Sequence, residues 1–188
     1  LGSEAAETLL GLDGNDSLSG VAGVDRLDGG AGVDTLTGGT GADTFVFSNR
    51  LDSYRNYNPE GANLSDVITD FDVTADKIDL SAMGFTGLGD GKNDTVYVLL
   101  NSAGSKTYIK SLSTDADGNR FEVALDGNYL DTLTSANFVF ATSSPTNQAP
   151  VLATPLLDQN ATENTPFNYV VPATSFTDPD NDSLSYTA

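Results

Sequence analysis

The sequence predicts an all-β fold, and three observations carry that prediction. Short apolar runs alternate with polar residues through the middle of the chain. Turn signals such as Ala103-Gly104, Asp117-Gly118 and Asp126-Gly127 fall between them. Glycine recurs at 2, 11, 20, 29 and 38, a fixed period of nine. Helix is expected only as a turn or two, near 132–136.

The nine-residue period keeps three positions in register. Five residues after each opening glycine stands an acid: Glu7, Asp16, Asp25, Asp34 and Asp43. Two residues further comes an apolar side chain: Leu9, Leu18, Leu27, Leu36 and Phe45. The fullest copies are Gly29-Gly30-Ala31-Gly32-Val33-Asp34-Thr35-Leu36-Thr37 and Gly38-Gly39-Thr40-Gly41-Ala42-Asp43-Thr44-Phe45-Val46. Glycines allow tight turns and leave backbone carbonyls accessible. The aspartate offers a hard oxygen ligand. The apolar residue points inward from a very short strand and builds a thin core. A flexible glycine-rich linker would keep no such register.

Composition agrees. The 188 residues hold 27 acidic and 8 basic side chains, for a formal net charge of -19. That balance disfavours nucleic acid or an anionic membrane as the main partner. Crowded carboxylates oppose compaction, and bound divalent cations relieve the repulsion. Cysteine and histidine are both absent, which excludes disulfides, thiolate nucleophiles, imidazole bases and most transition-metal sites. An oxygen-rich chain suits calcium rather than zinc. No apolar run is long enough to span a bilayer. The chain starts inside a repeat and ends inside a strand-like run, so it reads as a fragment, and a missing signal peptide says nothing about export.

Residues 47–140 carry the alternating runs 66–71, 77–80, 96–100, 106–110, 120–125 and 137–140, read as strands. Residues 141–150 read as a linker. From 151 onward Lys and Arg are absent, and the stretch to 188 is too short for a complete sandwich domain.

The nonapeptide matches the G-G-x-G-x-D-x-U-x repeat of RTX proteins. The segment 45–57, then Asp66-Val67-Ile68-Thr69-Asp70-Phe71-Asp72 and Asp76-Lys77-Ile78-Asp79-Leu80-Ser81, resembles the C-terminal part of serralysin-type RTX domains. With Arg120-Phe121-Glu122-Val123-Ala124-Leu125-Asp126-Gly127-Asn128 it looks closer to the R-modules of secreted mannuronan C5-epimerases. The likeness covers roughly residues 2–140. It implies a parallel β-roll over 1–46 with a β-rich cap over 47–140. In such rolls two nonapeptides make one coil, so turns eighteen residues apart stack and share a calcium ion. Asp16 is thereby paired with Asp34 and Asp25 with Asp43. Glu7 with Asp25 is the weaker pair, because Ala5 replaces a glycine.

The resemblance thus implies calcium held by Asp13, Asp16, Asp25, Asp34 and Asp43. The turn glycines Gly11, Gly14, Gly20, Gly23, Gly29, Gly30, Gly32, Gly38, Gly39 and Gly41 complete that set. A further ion is implied at Asp52 and Asp66, although the loop between those two is longer here. It also implies export by type I secretion and folding outside a bacterial cell. Catalysis in that epimerase family needs a histidine, which this chain lacks. Residues 147–151 and 176–186 look like the start of a dystroglycan-type cadherin-like domain over 151–188, with Asp178, Asp180, Asp182 and Glu163 as a candidate calcium set.

Seven of the eight basic residues lie between 50 and 120. Lys106, Tyr108 and Lys110 alternate and so share one side of a strand. With Arg50, Arg55 and Arg120 they form a candidate face for alginate or another acidic polysaccharide, whose carboxylates Arg and Lys contact well. The plainer reading is a solvated face offsetting nearby Asp. Residues 115–119 superficially start an EF-hand loop, but Arg120 stands where that loop needs glycine, and a hairpin turn is the better reading.

Two functions follow. One is a calcium-binding, alginate-binding accessory module that positions or tunes the enzyme of a secreted mannuronan C5-epimerase-like protein. The other is a calcium-triggered folding, secretion and spacer element of a large RTX adhesin, protease or lipase, with no glycan ligand.

Overall fold

The computed structural model describes residues 1–56, 63–115, 117–142, 151–152, 163–164, 166, 172 and 175–177. The chain divides into two compact units, Leu1–Thr142 and Ser143–Ala188.

In the first unit each nonapeptide spends its glycine half on a turn and its last residues on a strand. The repeats give β1 (Thr8–Leu10), β2 (Ser17–Ser19), β3 (Ala22–Gly23), β4 (Arg26–Asp28), β5 (Thr35–Thr37), β6 (Thr40–Gly41) and β7 (Thr44–Val46). The remainder adds β8 (Tyr54–Asn56), β9 (Asn63–Leu64), β10 (Val67–Ile68), β11 (Lys77–Asp79), β12 (Gly87–Leu88), β13 (Thr95–Leu100), β14 (Lys106–Lys110), β15 (Asn119–Asp126) and β16 (Phe138–Val139).

Successive repeats alternate between two sheets. One sheet is wholly parallel, in the order β1-β4-β7-β11-β16. The other runs β2-β5-β10-β15 in parallel, continues antiparallel through β14 and β13, and carries β12 beyond them. β3 and β6 pair between stacked turns. β8 pairs antiparallel with β15 and with β9. The short strands β8, β9 and β12 are additions to the elements read from sequence.

Register places the apolar residues in two ladders. Leu9, Leu27, Phe45, Ile78 and Phe138 stack across one sheet. Leu18, Leu36, Ile68 and Leu125 stack across the other. Leu27, Leu36, Phe45, Ile68, Ile78 and Leu125 are fully buried, whereas Leu9 and Leu18 are only partly covered. The roll therefore thickens toward residues 47–140. There Phe47, Phe71, Phe85 and Phe121 join the same core, with Phe47 and Phe121 rings 5.5 Å apart and edge-on. Each such side chain contributes about 1.5–3 kcal/mol on burial, so most of the hydrophobic stabilisation lies at that end.

Single 3-10 turns occur at Arg50–Asp52, Ser81–Met83 and Ser135–Asn137, the last overlapping the helical turn expected near 132–136. Among the described residues no helix is long and apolar enough to cross a membrane. In the second unit β17 (Val151–Leu152) pairs antiparallel with β18 (Phe176–Thr177). Residues 143–150, most of the linker, and 178–182, with three of the four candidate calcium acids there, lie outside the described residues.

Candidate metal centre

An acid stands just ahead of each main strand of the roll, and its backbone is tied to the next coil. The N–H of Glu7 donates to Oδ1 of Asp25 at 2.9 Å, that of Asp16 to Asp34 at 2.8 Å, and that of Asp25 to Asp43 at 2.8 Å. The ladder continues past the last nonapeptide. Asp34 donates to Oδ1 of Asp66 at 2.8 Å, and Asp43 to Oδ1 of Asp76 at 2.9 Å. Two rows result: Asp16, Asp34 and Asp66 before one sheet, and Glu7, Asp25, Asp43 and Asp76 before the other.

With Oδ1 of Asp25, Asp34, Asp43 and Asp66 committed, Oδ2 is left over. In Asp16, Asp25, Asp34, Asp43 and Asp66 that oxygen is buried with no hydrogen-bond partner. A carboxylate oxygen in that position is costly unless something positive meets it. Each of the four repeat oxygens lies against the glycine that opens its own repeat. A methyl group on Gly20, Gly29 or Gly38 would overlap Oδ2 of Asp25, Asp34 or Asp43. On Gly11 or Gly20 it would also overlap the carbonyl oxygen of Gly29 or Gly38 from the next coil. Carboxylate and carbonyl oxygens are thus gathered where no N–H answers them. Among the described residues no three acidic side chains meet at one point, and the oxygens gathered here are single carboxylates and backbone carbonyls. This all-oxygen donor set fits a hard divalent cation, calcium above all.

The electrostatics agree. Burial pushes the carboxyls of Asp34 and Asp43 above the usual range, against the hydrogen bonds they accept from Asp16 and Asp25. Asp66 is pushed up to about 8 by burial, with the charges of Asp34, Asp52 and Asp28 adding to the effect.

The rows end differently. Asp66 takes its own N–H to Ser53 Oγ at 2.8 Å and keeps a bare Oδ2. Asp76 spends Oδ1 on Asp43 and Oδ2 on the N–H of Asp72, at 2.8 Å. Beside it Asp70 accepts from the N–H groups of Gly38 and Gly39 at 2.9 and 2.8 Å. At the other end Glu7 turns back on Ser3, accepting from its N–H and Oγ at 2.6 Å each, which holds its carboxyl below the usual range. Asp13 is exposed on an open cleft of about 580 Å³ shared with Asp28, Ser48 and Asp52. Asp52 commits Oδ2 to the N–H groups of Ser48 and Asn49. Gly14, Gly23, Gly30, Gly32, Gly39 and Gly41 all hold positive φ in the turns.

Asp70 and Asp76 were missed by sequence reasoning. The signal for Asp76 was present, since Asp76-Lys77-Ile78-Asp79 repeats the acid-x-apolar-x spacing of Asp43-Thr44-Phe45-Val46.

The expected basic face is only partly assembled. Lys106, Tyr108 and Lys110 do share one side of β14, and Arg55 and Arg120 are cross-strand neighbours on β8 and β15. Lys106 pairs with Asp126 at 2.6 Å on the surface. Lys110, however, is buried, with Nζ 2.7 Å from the buried Glu122 and 4.9 Å from the Tyr108 ring centre. Arg50 points inward too, donating to Ser111 Oγ and Ser113 O and lying over the Phe85 ring. Neither Lys110 nor Arg50 projects as the sequence reading expected. Alternation fixes the side of a strand, and the acid on the next strand decides where a cation is spent. At the EF-like stretch, Asp115 instead accepts from the N–H groups of Asp117 and Asn119, the geometry of a turn.

Two parallel sheets stacked from nonapeptides, with acids in rows at their turns, define a β-roll repeat module. The chain belongs to the family described as Peptidase M10 serralysin C terminal, which it matches over residues 3–132. Similar proteins from Azotobacter vinelandii include mannuronan C5-epimerase AlgE5, 63% identical over 93 residues, covering 50% of this chain and 9% of that protein. Alginate lyase 7 is 57% identical over 96 residues, covering 51% and 11%. Mannuronan C5-epimerase AlgE4 is 51% identical over 108 residues, covering 57% and 19%. The chain thus spans less than a fifth of each of these relatives. Two solution structures from the same organism are also similar. The AlgE6R2 subunit of the mannuronan C5-epimerase has TM-score 0.54 and 45% identity, covering 73% of this chain and 94% of that one. The AlgE6R3 subunit has TM-score 0.56 and 40% identity, covering 91% and 94%.

Proposed function

We propose that this chain is a calcium-binding extracellular module that folds on calcium and serves a larger enzyme as its acidic-polysaccharide-binding accessory. The observation that carries the calcium reading is the set of five buried aspartate oxygens with no partner, aligned in two rows. In this reading Asp16, Asp25, Asp34, Asp43 and Asp66 hold the ions, with carbonyls of the turn glycines completing the coordination. Bound calcium would supply the positive charge those oxygens lack, and its binding free energy would become folding free energy. Ion-free, the rows repel, and the thin core of residues 1–46 is too small to offset chain entropy. Extracellular calcium modules bind at about 10⁻⁴ to 10⁻³ M, which suits type I export followed by folding outside the cell. Residues 47–140 then act as the cap that holds the roll closed.

The partner reading follows from likeness to subunits of mannuronan C5-epimerases and from the cations of β14, β8 and β15. In it the chain itself is non-catalytic and the parent enzyme modifies alginate. The inward commitment of Lys110 and Arg50 favours the second reading, a folding and spacer element without a glycan ligand.

Titration of the calcium-loaded chain with mannuronate-rich and guluronate-rich oligomers separates the two. Saturable heat, weakened in Lys106→Ala, supports the accessory role. Absence of heat with both oligomers, in protein shown to fold with calcium, leaves the spacer role.

A further inference from the structure

The outward face of the second sheet carries more than cations. Its register runs in rows across the strands. Leu99 of β13 stands opposite Tyr108 of β14, which stands opposite Ala124 of β15, and Ala124 opposite Val67 of β10. One row over, Tyr97 stands opposite Lys110, and Lys110 opposite Glu122. On the other side Lys106 stands opposite Asp126.

Leu99 is 45% exposed as the fifth residue of a six-residue strand. Its neighbours Val96 and Ile109 point into the core, so the strand already has a buried side and Leu99 is not part of it. Tyr97 and Tyr108 flank it, both partly exposed. Each ring is held in place: Tyr97 packs against Gly91, where an added methyl would overlap its ring, and Tyr108 lies beneath the Lys110 ammonium. Ala124 is buried, so the exposed strip ends at Tyr108. The result is a shallow apolar strip with fixed rings, bordered by Lys106 on one side and by Arg55 and Arg120 on the far strands.

Charge selects the occupant. Lys106, Arg55 and Arg120 stand on this face with Asp126, while Lys110 and Glu122 pair beneath it, which leaves an excess of positive charge on a chain whose net charge is -19. The chain's net negative charge repels a polyanion, and these cations offset it locally. An apolar strip with ordered tyrosines beside cations matches a pyranose ring bearing a carboxylate, which has an apolar C–H face and a charged edge.

We propose that Tyr97, Leu99 and Tyr108 form a sugar-stacking subsite on the β13–β14 hairpin, with Lys106 meeting the carboxylate of the stacked uronate. This rests on the acidic-polysaccharide reading and deepens it, because it makes affinity depend on apolar area as well as on charge. The two contributions separate by salt: contact between a ring and a leucine is insensitive to ionic strength, and an exposed ion pair is screened.

The experiment is calorimetric titration of the whole calcium-loaded chain with alginate oligomers of defined length, at low and at high salt. Leu99→Ala and Tyr97→Ala should each weaken binding roughly three- to tenfold by the same factor at both salt levels. Lys106→Ala should weaken it at low salt and much less at high salt. Tyr108→Ala removes the ring and should weaken binding by a similar factor at both salt levels. Thermal melts in calcium check that each variant is folded, and Leu99 is exposed enough for its truncation to leave the fold intact. If the parent chain binds but Leu99→Ala and Tyr97→Ala bind equally well, the subsite is wrong and the charged face alone carries recognition. If the parent chain binds no oligomer, the polysaccharide reading falls and takes the subsite with it.

Discussion

At the residue scale, Leu12 and Val21 hold left-handed backbone where the repeat asks for glycine. Leu12 and Val21 occupy the second position of their copies with φ of 74° and 77°, the region Gly30 and Gly39 hold one coil later at 82° and 94°. A side chain at Gly30 or Gly39 would overlap the carbonyl of Leu12 or Val21 beneath it, so glycine is obligatory there. Leu12 and Val21 keep side chains that are largely exposed, at the cost of left-handed strain, which is worst for a β-branched residue. Val21→Gly should therefore raise stability by about 0.5–1 kcal/mol, strain relief outweighing the added freedom of the unfolded chain. A thermal melt in calcium checks it, and a lower melting temperature would contradict the strain argument. The aspartates show a second division at this scale: one oxygen builds the fold and the other is left for a ligand. Asp34→Ala should lose at least one bound calcium and lower the melting temperature in calcium, and an unchanged stoichiometry would refute the eighteen-residue pairing.

At the element scale, the junction between repeats and cap is made by β10 and β11, which enter the two sheets as if they were further repeats. Asp66 and Asp76 precede them as Asp34 and Asp43 precede β5 and β7. Asp66→Asn keeps an oxygen for the Asp34 N–H and removes the charge, so it should spare the ladder hydrogen bond while weakening calcium binding at that row's end. Asp76→Asn should leave calcium binding nearly unchanged, since both Asp76 oxygens already have N–H partners. Calcium counting on the two variants distinguishes them, and equal losses would refute the difference between the row ends. Much of this architecture was legible because glycine, acid and leucine recur at a fixed spacing, and spacing maps directly onto a stacked coil. The junction was not, because residues 47–65 stretch the offset from eighteen to 32 and 33 and break the period. The fate of Lys110 was not legible for another reason. Its partner Glu122 lies on the neighbouring strand, and strand pairing beyond the repeat has no sequence period to announce it.

At the scale of the whole molecule, the buried carboxyls make stability and calcium affinity depend on pH in opposite senses. Asp66 has its pKa raised in the fold to about 8, against about 3.9 in an unfolded chain. The fold therefore holds a proton that the unfolded chain releases, and the calcium-free protein should lose stability as pH rises from about 4 to about 8. Calcium must displace that proton, so binding should tighten over the same window and release protons. Calorimetry at pH 6 in two buffers of different ionisation heat checks this, and identical heats would contradict it. The aspartate ladder also gives the module a direction. Every coil borrows a carboxylate from the coil on its C-terminal side, while the first coil lends almost nothing back, and the deep core sits at the far end. Tension applied through Leu1 would therefore meet the weakest coil first and unwind the roll like a spool, turn by turn. Each eighteen-residue turn would pay out about 60 Å of chain before the next is loaded. Loaded instead between points that both lie in the cap, the chain would meet the deep core at once, so the same module yields or holds according to where the load enters.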